Sequence, residues 1–245
     1  MLRASLNIIP VRKNMFWKKC RKKYHQITAN DEAIQKYLRI MSELQGEGYR
    51  SIHGYLQDLG HKFVSKQMVQ GRTLEIGFGR GRQAMFYRGH EDDYYPTDIN
   101  QQYVVPEIWG RFKNAQIVDA SCLPFEDHYF DQVVSVYNLE HVADPERVLL
   151  EVKRVLKTTG KFVVALPCEG GFAWNLGREL FMRRAYQKRF GIDYDKVIAF
   201  EHKHCLKELL LSLDKHFTCV SSRYYPCGIP WIDINFIYCG IYEHD

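Results

Sequence analysis

The chain has 245 residues, 46% apolar and 14% aromatic, enough for one domain with a sizeable core and too apolar for a disordered segment. No run approaches the roughly 18 apolar residues that cross a bilayer, and the basic N-terminus lacks the sustained apolar stretch of a secretory leader, so none is expected. The net charge of +5 belongs to the tail: residues 1–25 hold eight Lys or Arg and no Asp or Glu, leaving 26 basic against 29 acidic residues elsewhere.

Seven cysteines, with no C-x-x-C pair among them, point to free thiols in a reducing compartment rather than to a disulfide framework or a structural zinc site. The expected location is therefore cytoplasmic. In the tail, Phe16, Trp17, Cys20 and Tyr24 share one face of a helix with lysines opposite. Such a segment either rests on the anionic inner face of a membrane, docks on the domain, or stays loose.

In chain order, helices are expected near 31–45 and 51–69, the first capped by Asn30 or Asp31, with Gly46 and Gly48 between them. With the tail they make a first unit, 1–70. A strand at 72–76 follows, then a helix at 80–89, a short strand at 93–97 ending at Asp98, and another at 115–118. "FDQVVSVY", 130–137, is a strong β run, and "PERVLLEVKRVL", 145–156, an amphipathic helix opened by Pro145 and stopped before Gly160. "KFVVALP", 161–167, is the next strand. This alternation with short connections implies an α/β fold whose mostly parallel sheet is covered by helices.

After 168 the rhythm breaks into a helical insert at 172–190, a helix near 205–214, and strands near 217–225 and 232–242. The span from Pro167 to Lys203 is too long for an ordinary connection. It leaves the carboxyl end of a strand, so residues 168–215 are expected to cover a substrate. They belong to a second unit, 71–245.

"TLEIGFGRG", 73–81, places Gly77, Gly79 and Gly81 after the first strand, where ligands of parallel sheets bind and where glycine permits close approach. A phosphate loop needs G-K-[ST], but Arg82-Gln83 follows; the dinucleotide fingerprint needs a glycine where Arg82 stands. Neither accounts for Glu75. A carboxylate there sits poorly beside a pyrophosphate and well beside an ammonium group, directly or by ordering the loop.

"LEIGFGRG", Asp98 in "YYPTDIN", and the run "VDASCLPFEDHYF…KFVVALP", 118–167, together resemble the class I S-adenosylmethionine-dependent methyltransferases of the type 11 small-molecule group, over about 40% of the chain. The resemblance implies a three-layer Rossmann-like fold with a seven-stranded, mostly parallel sheet and an antiparallel last strand. It implies S-adenosylmethionine as cofactor and S-adenosylhomocysteine as product. By position, Gly77, Phe78 and Gly79 would lie under the methionine part with Glu75 below. Asp98 would accept from the ribose hydroxyls, Ile99 would pack on adenine, and Asp119 with the Ala120 N–H would meet the adenine edge. Asn138 and Leu139 would line the methionine end. On the residues alone, the lesser alternatives are that Asp98 simply ends a strand and Asp119 caps a loop.

Methyl transfer from a sulfonium needs orientation and sometimes a base. His141 and His202 are the catalytic candidates, with His204 a further one. The i, i+2 spacing of His202 and His204 does not share a helix face, and no metal is expected. In "RELFMRRAYQKRF", 178–190, Arg178, Arg183 and Arg184 form either a solvated face or a site for an anionic group. "LPCEGG" followed by a basic helix is similar to methyltransferases of surface-polysaccharide pathways. The expected partner is thus a small-molecule or glycan acceptor of anionic character. An RNA or DNA methyltransferase is the alternative suggested by the tail. It is opposed by the net-negative body and by Asn138-Leu-Glu-His where an N-P-P-Y tetrad would stand. A non-catalytic scaffold of the same fold is the other alternative.

Overall fold

The computed structural model describes residues 27–43 and 52–245; the basic tail, with the proposed face of Phe16, Trp17, Cys20 and Tyr24, lies outside the described residues. The described elements are helices α1 (Glu32–Glu43) and α2 (Ile52–Lys66), strands β1 (Thr73–Ile76) and β2 (Tyr94–Asp98), helix α3 (Pro106–Trp109), strands β3 (Gln116–Ile117) and β4 (Phe130–Val136), helix α4 (Pro145–Val155) and strand β5 (Leu156–Pro167). The insert follows as α5 (Phe172–Gly177), a π-helical turn over Arg178–Met182, and α6 (Arg183–Phe190). Helices α7 (Tyr194–Glu201) and α8 (Leu206–His216) and strands β6 (Phe217–Tyr225) and β7 (Ile237–His244) complete the chain.

The sheet has seven strands in the order β3-β2-β1-β4-β5-β7-β6. β1 pairs in parallel with β2 and β4, and β4 with β5, while the last strand, β7, runs antiparallel to β5 and β6. β4 is buried along nearly its whole length because helices cover both its faces. On one side Val133, Phe162 and Val164 pack with Leu149, Val152 and Val155 of α4 and Leu206, Leu209 and Leu213 of α8. On the other, Val134, Val163 and Ala165 pack with Phe63 and Val64 of α2. Phe63 and Val64 of α2 therefore share the core of the sheet. The strand order reverses between β1 and β4, and the crevice beyond their carboxyl ends is where a ligand fits in this topology.

The elements differ from the sequence expectations in several places, the short helix α3 among them. The helix expected at 80–89 shrinks to a 3-10 turn over Arg82–Met85, because Tyr87 turns inward onto Tyr94, ring centroids 4.1 Å apart. β5 begins at Leu156 and contains Gly160, where a Cβ would meet the Leu156 side chain at 2.6 Å. Helix α7 was not expected; Asp193 caps it by accepting from the Asp195 N–H. β7 starts at Ile237 rather than 232, since the buried Asn235 side chain donates to the carbonyls of Ile229 (2.9 Å) and Trp231 (2.8 Å) and holds that stretch in a turn.

Candidate active site

β1 ends at Ile76, and the chain then turns through Gly77 (φ 77°) and Gly79 (φ 54°), conformations that suit glycine. A Cβ on Gly77 would meet the Asn138 side chain at 2.1 Å, so the loop packs directly on the chain leaving β4; a Cβ on Gly79 would meet nothing within 4 Å. Asp98, at the end of β2, ties the two loops together. Its Oδ2 accepts from the Gly79 N–H at 2.7 Å and its Oδ1 from the Asn100 N–H at 2.8 Å.

These loops enclose a cavity of about 360 Å³ whose walls include Gly77, Asp98, Ile99, Asp119, Ala120 and Asn138, with His141 at one end. Ile99 is 66% exposed, an apolar surface standing at the cavity rim. Asp119 accepts from the Ser121 N–H at 2.8 Å, and that bond holds its carboxyl below the usual carboxylate range, so it is an ionised acceptor near neutral pH. Two carboxylates, an exposed apolar face and a side-chain-free turn fit a nucleoside with vicinal hydroxyls and an exocyclic amine.

The other residues expected at the cofactor lie behind the wall. Glu75 is buried, accepts from the Tyr94 hydroxyl, and has its pKa pushed up to about 8 by burial, with nearby Asp98 adding to the effect. Phe78 points into an aromatic cluster, 5.2 Å from the Trp109 ring, and Trp109 donates its indole N–H to the Gly79 carbonyl at 3.0 Å. Glu75 and Phe78 thus shape the glycine loop from beneath. Sequence reasoning missed Thr97 and Arg147, which also line the cavity. Thr97 donates to the Glu75 carbonyl at 2.8 Å. The helix signal at Pro145 placed Arg147 on a first turn without indicating which cavity it would meet.

The sequence pattern of the family described as "Methyltransferase domain", type 11, matches residues 74–164, the stretch that builds this cavity. The chain carries a class I S-adenosylmethionine-dependent methyltransferase domain. Among similar proteins, the ubiquinone/menaquinone biosynthesis C-methyltransferase UbiE of Bordetella avium is 44% identical over 101 residues, 38% of this chain and 40% of that protein. The uncharacterized methyltransferase YcgJ of Bacillus subtilis is 28% identical over 117 residues, 44% of this chain and 46% of its own length. The chain therefore spans less than half the length of these relatives. The solved structure of the PH0226 protein from Pyrococcus horikoshii matches the fold with a TM-score of 0.56 at 19% identity, over 86% of this chain and 99% of that one.

The methyltransferase domain has a second cavity, of about 790 Å³, beyond His141. Its walls are largely apolar: Leu56, Tyr137, Trp174, Phe181, Met182 and Phe236 line it. His141 lines both cavities and receives a fixed ring orientation from its Nδ1, 2.9 Å from the Glu201 carbonyl. His202 lines only the larger cavity. Its Nδ1 pairs with Glu169 Oε2, and its ring meets that of His141 edge-on at 4.8 Å. Glu169 also accepts from Arg178 at 2.8 Å. Burial opposes ionisation of Glu169, but His202 and Arg178 outweigh it and hold the carboxyl below its ordinary pKa. The structure thus brings His141 and His202 together, and sets His202 apart from the cofactor residues.

The arginines expected to meet an anion are placed otherwise. Arg178, its side chain 2% exposed, faces Glu169 and Asp195. Arg183 is bound by Asp195, through its Nε at 3.0 Å, and by Glu179. Arg184 is exposed and off the cavity wall. Glu169 ahead of α5, Glu179 in the π-helical turn and Asp195 on α7 pair with Arg178 and Arg183; nothing in the composition of the run itself announced Asp195. Phe172 is exposed, while Trp174 lines the cavity. Among the described residues no cluster of three His, Cys, Asp or Glu side chains could hold a metal ion, and no helix is long and apolar enough to cross a membrane.

Proposed function

We propose that the chain transfers a methyl group from S-adenosylmethionine to a small, largely apolar acceptor held beneath α5 and the π-helical turn that follows it. The observation that carries this reading is the position of His141, which forms part of the wall of the nucleoside-sized cavity and of the larger apolar one. Asp98 would hold the ribose hydroxyls, Asp119 the adenine amine and Ile99 the adenine face. The cofactor, when bound, supplies a methyl group already activated by its sulfonium.

On the acceptor side the chain orients and deprotonates. Glu169 engages His202 at Nδ1, which leaves Nε2 as the nitrogen able to take a proton from an acceptor in the cavity. Tyr137, Trp174 and Phe236 give flat surfaces that orient an apolar molecule and exclude water. The name of the UbiE relative, which places that protein in quinone biosynthesis, fits an acceptor of this kind. An anionic saccharide fits less well, because the buried guanidinium of Arg178 already faces carboxylates.

The test has two arms. Calorimetry should detect S-adenosylhomocysteine binding, and radiolabelled methyl transfer should be found among apolar phenols and quinols rather than sugar phosphates. Failure to bind S-adenosylhomocysteine at millimolar concentration by folded protein would remove the proposal. Transfer to sugar phosphates alone would replace its acceptor.

A further inference from the structure

Glu140 lies four residues past the end of β4 and is 2% exposed, yet its Oε2 has no hydrogen-bond partner in the protein. The imidazole of His141 has its Nε2 3.8 Å from Oε1 of Glu140, beyond hydrogen-bond reach. Burial raises the Glu140 pKa to about 7. Trp174, on α5, carries a buried indole N–H that is likewise without a partner. Both residues line the 790 Å³ cavity, on opposite sides of the chain's topology: one at the sheet, one on the cover. A buried polar atom left unpaired is costly, and native proteins rarely keep one without a use.

The two groups are complementary. Glu140 offers an oxygen that accepts, and Trp174 a nitrogen that only donates. A hydroxyl satisfies both because it donates one hydrogen bond and accepts others. A ligand ammonium would answer Glu140 and leave the indole unpaired. A ligand carboxylate would answer the indole and be set against Glu140 and Glu169, with Arg178 already facing Glu169 and Asp195. A bare hydrocarbon would answer neither.

We propose that the acceptor is an uncharged apolar molecule whose hydroxyl group donates a hydrogen bond to Glu140 and accepts one from the Trp174 indole N–H. Calling this ligand the acceptor rests on the methyltransferase reading; the selectivity of the cavity does not.

The experiment measures dissociation constants of four probes, 2-naphthol, naphthalene, 2-naphthoate and 2-naphthylmethylamine, for the full chain with and without saturating S-adenosylhomocysteine. The naphthol should bind at least about tenfold tighter than each of the others, the effect of one or two buried hydrogen bonds. Trp174→Phe and Glu140→Leu should each cut the preference for naphthol over naphthalene to about threefold or less, with S-adenosylhomocysteine affinity within about twofold of wild type. Glu140→Gln, which keeps an acceptor and the side-chain shape, should retain most of the preference and serves if the leucine variant does not fold. Equal binding of naphthol and naphthalene by wild type, a preference for either charged probe, no naphthyl binding at millimolar concentration, or a preference untouched in both Trp174→Phe and Glu140→Leu would overturn the proposal. Loss of S-adenosylhomocysteine binding with hydroxyl selectivity intact would instead overturn the methyltransferase reading alone.

Discussion

The two cavities that meet at His141 are built in different ways. The cofactor-side wall is drawn from one stretch of the sequence, between Gly77 and Val148, and much of its geometry is backbone: a turn without side chains, Asp98 accepting from the Gly79 and Asn100 amides, and Asp119 from the Ser121 amide. The acceptor side gathers Leu56 of α2, Tyr137 and Glu140 after β4, Trp174 and Arg178 of the insert, and Phe236 before β7. A ligand that stays constant can be held by local backbone geometry. A ligand that varies between relatives is held by side chains that only the tertiary fold assembles.

Substitutions on one side should therefore leave the other side's ligand alone. The largest effect is expected from Glu169→Leu. It removes the closer of the two carboxylates that face the buried, charged Arg178, leaving Asp195 at 3.5 Å, and should cost about 3–5 kcal/mol of stability in urea unfolding. The folded fraction should still bind S-adenosylhomocysteine normally; a parallel loss of cofactor affinity would join the two sides. Next, Asp98→Asn should weaken S-adenosylhomocysteine by about 1.5–3 kcal/mol in calorimetry, because an amide cannot accept from Gly79 and Asn100 together and still serve two hydroxyls. Binding of 2-naphthol to the same variant should not change.

A smaller effect concerns pH. Burial raises the Glu75 pKa to about 8 and the Glu140 pKa to about 7, so the folded state holds protons that the unfolded state has released above about 4.5. These two groups contribute stability at low pH that is lost as pH rises towards 8. Glu75→Gln should flatten this decline between pH 5 and 8 by on the order of 1–3 kcal/mol in denaturation curves. An unchanged slope would mean that Glu75 ionises freely under the glycine loop. The smallest effect is expected from Arg184→Ala, within about 0.5 kcal/mol in stability and with wild-type acceptor KM. A clear rise in KM would return the arginine run to the acceptor site.

The difference in construction also governs what could be read from the sequence. Asp98 could be placed because a short β run ends there, and the glycine turn because β1 runs into it; both are local signals. The expected strands at 72–76, 130–137 and 217–225 lie within a residue of those observed for the same reason. The direction in which Glu75 points was not local: it depends on Tyr94, whose hydroxyl reaches it from the neighbouring strand. The insert was legible as helical over 172–190, but neither its π-helical turn nor its electrostatics was. Arg178 and Arg183 look like an anion site until Glu169 and Asp195 are brought beside them by the fold. Helix α7 escaped because "YDKVIAFE" is short and its cap, Asp193, follows closely on the Gly191 turn.

On the proposed function, methyl transfer takes place across His141, from the cavity of Asp98 and Asp119 into the apolar cavity under the insert. A crystal structure with S-adenosylhomocysteine tests it most directly. The ribose hydroxyls should lie on the Asp98 carboxylate, the adenine against Ile99, and the sulfur beside His141, facing Tyr137 and Trp174. A ribose bound away from Asp98, or a sulfur walled off from the 790 Å³ cavity, would contradict the account.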